Sequence, residues 1–302
     1  ASVYPGSCRP IPSDDHKCIG VRRKKQMKND MEARKTREIE FHDLLREGAP
    51  QQRWSPPEEE RLKSNPLWSN FKYYSIERKS IDLVDNFLRE RCPGKRVLDY
   101  CCGNGDDTVK MAKMGAKEVI GIDLSKAGLE HGRQRATEQG VENRTKFMAM
   151  DAEAMEFEDD SFDLIKVYGC LHHLDLRRAF TELARVLRSD GCIICTEALG
   201  HNPIIHLYRK LTPQLRTQYE AEHLLKRSGL RLAREHFGEV QPAFFHLATL
   251  FAVPFRGFRL FGVILSSLEA VDSLLLQLPF LRWQAWHVVL TLSRPLKERL
   301  SA

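Results

Sequence analysis

The sequence predicts an α/β fold: a doubly wound, mostly parallel sheet with an N-terminal helical arm and a hydrophobic helical cap inserted before the last strand. Three observations predict it. Short strand-like runs alternate with helical segments from Arg96 to Thr196, the signature of βαβ units. The run Phe162–Tyr168 is largely apolar, as in a strand covered on both faces. The first strand enters a turn with Gly103 and Gly105, followed by the acidic start of a helix at Asp106-Asp107.

The elements follow in order. Residues 1–20 contain Pro5, Gly6, Pro10 and Pro12 and read as a loose leader. Residues 21–47 hold strong helix formers and stop at Gly48-Ala49-Pro50. A proline-rich connector covers 49–70. Between Ser75 and Arg91, Ile76, Ile81, Val84, Phe87 and Leu88 recur at helical spacing. Strands are expected at Arg96–Tyr100, Glu118–Asp123, Thr145–Met150, Phe162–Tyr168 and Cys192–Thr196. Helices are expected at Asp107–Met114, Lys126–Gln139 and Leu176–Leu187, with a turn at Ser189-Asp190-Gly191. The Phe/Leu-rich stretch from Ala243 to Phe280 reads as helical hairpins, and Trp286–Ser293 as a closing strand. The expected units are an arm over 1–48, a connector or lid over 49–74, a core over 75–242, a cap over 243–283 and a last strand with tail over 284–302.

Composition narrows the function classes. The chain has 302 residues, 42% hydrophobic and 29% charged, enough to bury a core without disulfide staples. Its eight cysteines fall partly in apolar strand-like runs and suit a reducing compartment. Cys192 and Cys195 have C-x-x-C spacing, but on a strand they point to opposite faces, so neither metal nor redox chemistry is expected. The net charge of +6 is concentrated between Lys17 and Arg37, where nine Lys/Arg oppose Asp30 and Glu32. This favours a solvated helix or tail; anionic lipid, nucleic acid or an acidic partner are the alternatives. No uncharged run approaches the roughly 20 residues that span a bilayer. A cytoplasmic location is expected, with peripheral membrane contact left open.

The candidate chemistry sits where strands end. Gly103 and Gly105 let backbone approach a ligand closely, and the helix start offers unpaired N–H groups. Eighteen residues after Gly105, Asp123 ends Val119-Ile120-Gly121-Ile122, placed to accept the ribose hydroxyls of an adenosine. Asp151-Ala152 follows the third strand, with an acid suited to an adenine amino group. Tyr168-Gly169-Cys170-Leu171-His172-His173 follows the fourth.

In this order, Val97–Gly105, Gly121-Ile122-Asp123-Leu124-Ser125, Asp160–Ile165 and Leu171-His172-His173 resemble the class I S-adenosylmethionine (AdoMet)-dependent methyltransferases, in particular their type 11 small-molecule branch. The similarity covers about residues 75–200. Glu40–Asp43, Gly200–Ile205, Leu207–Arg209 and Pro279–Arg282 are similar to a bacterial subgroup that includes natural-product C-methyltransferases of the teleocidin type. The resemblance implies a seven-stranded sheet and AdoMet as cofactor. Its implied cofactor site is Tyr74, Asp99, Cys101, Gly103, Asn104, Gly105, Asp123, Leu124, Asp151, Ala152, Tyr168 and Gly169. The family turn usually begins with glycine where this chain has Cys101. A dinucleotide site fits less well, because Thr108 stands where that fingerprint needs a third glycine.

For catalysis, His172, His173, Glu197 and His201 lie at the ligand-binding edge. Tyr73, His201, His223 and Phe245 are candidates for the substrate; Leu224 replaces the proline that follows the corresponding His in the subgroup. Trp54, Trp68 and Phe71 are ambiguous aromatics of the connector. The expected reaction is in-line methyl transfer to a hydrophobic small molecule such as a terpenoid, quinone, polyketide or lipid. The alternatives are a nucleic-acid methyltransferase gripping through the arm, or a noncatalytic AdoMet-binding scaffold. Tyr168-Gly169-Cys170-Leu171 lacks the Asn/Asp-Pro-Pro-aromatic motif of base-amino methylators, which disfavours nucleic acid. A homo-oligomer joined through the arm is left open.

Overall fold

The computed structural model describes residues 31–40, 43, 71–211, 219 and 223–297. The leader, Trp54, Trp68 and nearly all of the proline-rich connector lie outside them. Residues 31–40 are helical (α1). Then follow α2 (Phe71–Tyr74), α3 (Arg78–Arg91), β1 (Arg96–Tyr100), α4 (Asp106–Lys113), β2 (Glu118–Asp123) and α5 (Lys126–Glu138). The chain continues through β3 (Thr145–Ala149), β4 (Phe162–Tyr168), α6 (Leu176–Val186), β5 (Leu187–Ala198), α7 (Pro203–Leu211) and α8 (Arg227–His236). It closes with β6 (Phe237–Phe245), α9 (Phe261–Leu275) and β7 (His287–Pro295).

The seven strands form one sheet in the order β3-β2-β1-β4-β5-β7-β6. All pairs are parallel except those of β7, which runs antiparallel to both β5 and β6. Successive strand residues feed opposite faces. Leu98, Ile165, Ile193 and Val288 join Phe180 and Leu183 of α6 and Leu230 of α8. Val97, Leu164, Ile194 and Val289 join Val84 and Leu88 of α3 and Met111 of α4. Cys195 and Cys192 divide between these two clusters in the same way. Caps set two helix starts: Ser125 Oγ accepts from Gly128 N–H at 3.1 Å, and Asp175 Oδ1 accepts from Arg177 and Arg178 N–H.

Three elements depart from the sequence expectation. Ser189-Asp190-Gly191 is not a separate turn; β5 starts at Leu187 and runs through it. The pairing with β4 jumps from Phe162↔Leu187 to Leu164↔Cys192, so this turn-rich segment is an irregularity inside the strand. β6 has no counterpart in the strand-like runs. Gly238 and Pro242 break its pattern, and proline is tolerated because β6 is an edge strand with one neighbour. β6 also takes up Ala243–Phe245, so the Phe/Leu-rich stretch is not made of helical hairpins. Its helical part is a 3-10 segment, Ala248–Phe255, packed on the single helix α9.

Candidate active site

The order β2-β1-β4 reverses the direction of winding at β1, and ligands of such sheets bind at the carboxyl ends beside that switch. β1 ends in a turn with three residues at positive φ: Cys101 (58°), Gly103 (56°) and Gly105 (73°). Asp123, at the tip of β2, ties the turn down. Its Oδ2 accepts from Gly103 N–H at 2.9 Å and its Oδ1 from Ser125 N–H at 2.8 Å. Leu124 follows it, half-buried. Gly105 has a packing duty beyond ligand clearance: a Cβ there would lie 2.5 Å from Phe147 Cε1 and 2.8 Å from Gly132 Cα. Cys101 holds the left-handed position that glycine usually takes. The neighbouring Cys170 thiol, together with burial, pushes the Cys101 pKa well up; burial raises Cys170 to about 11.

Asp99 is set behind this turn, not in it. It is 2% exposed and accepts a 2.6 Å hydrogen bond from Thr108 Oγ1. Burial pushes its pKa up to about 6, against the opposing pull of Lys166, and Lys166 is itself ion-paired to Asp107. In this structure Asp99 braces the turn from behind through Thr108, on a strand covered on both faces. Thr108 explains why a dinucleotide-type glycine is absent here: its hydroxyl fastens α4 to β1. Gly121 makes room for it, since a Cβ would meet Thr108 Oγ1 at 2.8 Å.

The arm folds over this same edge. Lys35 Nζ is 2.5 Å from Asp151 Oδ2 and 3.7 Å from Glu153 Oε2. Arg34 pairs with Glu153 and lies 4.9 Å over the Tyr219 ring. Glu38 Oε2 is 2.9 Å from His173 Nδ1, and Asp43 accepts from Ser125 Oγ. Composition favours a solvated arm; the acids beyond β3 draw its described part onto its own chain instead. Ala152 is buried, its carbonyl accepting from Tyr100 Oη at 2.8 Å.

Beyond β4, Gly169 turns at φ 58° and a carboxylate organises the loop. Glu197 is 1% exposed. Its Oε1 accepts from Cys170 N–H (2.8 Å) and Leu171 N–H (2.7 Å), and its Oε2 is 2.8 Å from His172 Nδ1. The His172 and His173 rings lie 4.3 Å apart. Tyr168 Oη donates to Glu77 Oε2 at 2.9 Å, and Glu77 Oε1 is 3.9 Å from His287 Nδ1. Tyr74 precedes this group, its carbonyl accepting from Glu77 N–H at 3.2 Å.

Aromatic side chains continue the edge. Tyr73 meets Tyr208 (5.0 Å) and Trp286 (5.6 Å) edge-on. Trp283 meets Phe244 (5.2 Å) and His201 (5.6 Å). Burial, then Arg227 and Lys226, lower the His201 pKa. Phe245 does not join them. It packs with α3 and Val289 on the opposite sheet face, because neighbouring residues of a strand alternate; Phe244 is the one that faces Trp283. His223 is exposed, stacked 3.7 Å from Tyr219 with Nδ1 on the Tyr219 carbonyl, on the side of Arg34.

Glu77, His287, Trp283 and the arm residues Arg34, Lys35 and Glu38 have no motif in the sequence reading. The one available signal is the strand-like run Trp286–Ser293, whose direction in the sheet, antiparallel, only the structure shows. That direction carries the start of the strand, and hence His287, to the edge where the parallel strands end.

A family model described as a methyltransferase domain matches residues 97–191. The demethylmenaquinone methyltransferase of Lactiplantibacillus plantarum is 32% identical over 164 residues, 51% of this chain and 67% of that protein. This chain belongs to the class I AdoMet-dependent methyltransferases. The demethylmenaquinone methyltransferase of Staphylococcus aureus (strain MRSA252) is 32% identical over 145 residues, and there the methyltransferase described here spans 56% of its relative's length. Geranyl diphosphate C-methyltransferase from Streptomyces coelicolor, solved with geranyl diphosphate and S-adenosyl-L-homocysteine, has a TM-score of 0.51 at 16% identity over 74% of this chain and 84% of that one. That likeness is one of fold.

AdoMet is the cofactor of this methyltransferase, and the turn fits such a group. Asp123 presents a carboxylate at a strand tip, Gly103 and Gly105 carry no Cβ to obstruct close approach, and Asn104 Oδ1 is buried without a hydrogen-bond partner, which a bound ligand would relieve.

Proposed function

We propose that this methyltransferase methylates a lipophilic small molecule at the aromatic edge described above. The aromatic group of Tyr73, Tyr208 and Trp286 beside the Tyr168–Glu77 pair carries this reading. It supplies apolar walls next to a few placed polar groups, the pattern of small-molecule sites. The names of the relatives agree in kind: one is a demethylmenaquinone methyltransferase, another a geranyl diphosphate C-methyltransferase.

In this reading Gly103, Asn104, Gly105, Asp123 and Leu124 hold one end of AdoMet. Asp151, Ala152, Tyr168, Gly169 and Tyr74 line the rest. Bound AdoMet supplies an electrophilic methyl on a sulfonium. Glu197 accepts a hydrogen bond from His172 Nδ1–H and fixes that tautomer, so Nε2 takes a proton from a hydroxyl acceptor. His173 is held by Glu38 and orients the arm. His201, Trp283 and Phe244 face the acceptor's apolar body, and the arm excludes water over the edge. The nucleic-acid reading loses support from Arg34 and Lys35, which are engaged with Glu153 and Asp151.

The test is incubation with methyl-labelled AdoMet and, separately, a hydroxynaphthoquinone, a prenyl diphosphate and a mixed RNA, followed by mass spectrometry. Label in a lipophilic acceptor is the expected result. Label in RNA alone, or AdoMet binding without transfer to any of them, overturns the proposal.

A further inference from the structure

Helix α9 is amphipathic in the wrong sense for a water-facing helix. Its two acids point inward. Glu269 makes a two-pronged pair with Arg78 (3.1 and 2.5 Å), and Asp272 accepts from the N–H groups of Leu247, Ala248 and Thr249 and from the Thr249 hydroxyl. Its outward positions are uncharged: Val263 (65% exposed), Ser267, Ala270 and Leu274 (69%) follow one another at helical spacing. A surface helix ordinarily does the reverse.

The face extends past the helix. Phe251, Phe255, Phe258 and Leu260 are exposed before it, and Leu278 and Phe280 after it. Arg256 and Arg259 alternate with Phe255, Phe258 and Leu260. Between Val240 and Lys297 the only acids are Glu269 and Asp272, and both are buried. The neighbouring α7 repeats the pattern: Ile204, Leu207 and Leu211 are exposed at helical spacing, followed by no acid until Glu220. Tyr73 links the regions, touching Tyr208 of α7 and packing with Leu265 of α9.

We infer that this face docks on the surface of an anionic lipid bilayer, with the exposed Phe and Leu side chains entering the acyl boundary and Arg256 and Arg259 reaching the headgroups. The charge pattern selects this occupant. Apolar side chains interleaved with arginines and free of exposed acids match an interface that is apolar below and anionic above. A second copy of the same face would bring arginines against arginines with no acid to receive them. Among the described residues no helix is long and apolar enough to cross a membrane, so the contact is one of lying on the bilayer. The inference goes beyond the choice of acceptor. It places the aromatic edge, through Tyr73 and Tyr208, beside a surface where lipophilic molecules dissolve.

The experiment is vesicle flotation of the full chain, with phosphatidylcholine vesicles and with vesicles containing phosphatidylglycerol. The unaltered chain is expected to float with the anionic vesicles. The double variant Phe258→Ser/Leu274→Ser is expected to lose about tenfold or more of that binding, since each side chain loses its apolar burial. Arg256→Gln/Arg259→Gln is expected to remove the preference for anionic lipid. Both pairs are exposed, so unchanged melting and AdoMet calorimetry establish that the variants fold. Undiminished flotation of Phe258→Ser/Leu274→Ser overturns the inference by assigning binding to the basic arm. No flotation, with a concentration-dependent dimer in sedimentation that the same substitutions abolish, overturns it in favour of a second copy. Methyl transfer enters none of these readouts, so failure of the acceptor assignment is told apart from failure of this one.

Discussion

Lys35 of the arm places its ammonium 2.5 Å from Asp151 Oδ2, beyond the tip of the third strand. The contact joins residues 116 apart in sequence, and it closes the arm over the edge where Asp123 holds the glycine turn. Asp151 Oδ1 is engaged as well, accepting from Glu153 N–H at 2.9 Å. A cofactor amino group that seeks Asp151 meets a cation already there.

Lys35→Ala is therefore expected to tighten AdoMet binding about two- to fivefold, the worth of a partly exposed ion pair. Calorimetric titration checks it. Equal or weaker affinity means that Lys35 shares Asp151 with the cofactor.

Glu197 gathers two backbone N–H groups and the His172 ring. Glu197→Gln keeps the shape but removes the charge and half the acceptor capacity. The turnover number should fall by about tenfold or more, with AdoMet affinity within about twofold. A fall in KM performance alone, with kcat retained, would argue against His172 as the proton acceptor.

Asp272 is the hub of the loop after β6. Asp272→Ala leaves the buried N–H groups of Ala248 and Thr249 without their acceptor, at a cost of about 2–4 kcal/mol. Calorimetric melting should show it as a lower Tm, and a change below about 0.5 kcal/mol would contradict the assignment.

His246 gives a pH dependence. It is 2% exposed, its Nε2 lies 2.8 Å from Ser80 Oγ, and burial lowers its pKa to about 3. Unfolded histidine titrates near 6.5, so between those values the unfolded chain binds more protons. Stability from this group is complete above about pH 6.5 and is lost as pH falls toward 3, at up to about 1.4 kcal/mol per pH unit. Asp99, raised to about 6, acts oppositely: its contribution is present below about 3.8 and lost as pH rises through 6. Denaturant unfolding of the wild type and of His246→Asn isolates the histidine, because Asp99 is common to both; asparagine also tolerates the positive φ of 68°. The difference between the two curves should shrink as pH falls from 6.5 to 4. A constant difference would mean that His246 does not titrate in this range.

Local pattern and tertiary structure each account for a definite part of this protein. The parallel strands β1, β2 and β4 were legible to the residue, because a strand covered on both faces is written as a local apolar run and its glycine turn and terminal acid follow directly. The cofactor was legible for the same reason, as was the glycine turn at Gly103 and Gly105 that Asp123 ties down. β6 was not, since an edge strand with one neighbour accepts Gly238 and Pro242. The choice of Phe244 over Phe245 depends on which face β6 turns to Trp283, which no composition of that segment states. The bond from Thr108 to Asp99 appears only when α4 is in place against β1. The helix formers of residues 31–40 were legible, but their docking on Asp151, Glu153 and His173 joins side chains more than a hundred residues apart. The inverted helix α9 reads as ordinary cap until packing shows Glu269 and Asp272 turned inward. Short-range pattern determines elements and the motifs at their ends; which side chains meet is decided by the order of strands and the faces they present.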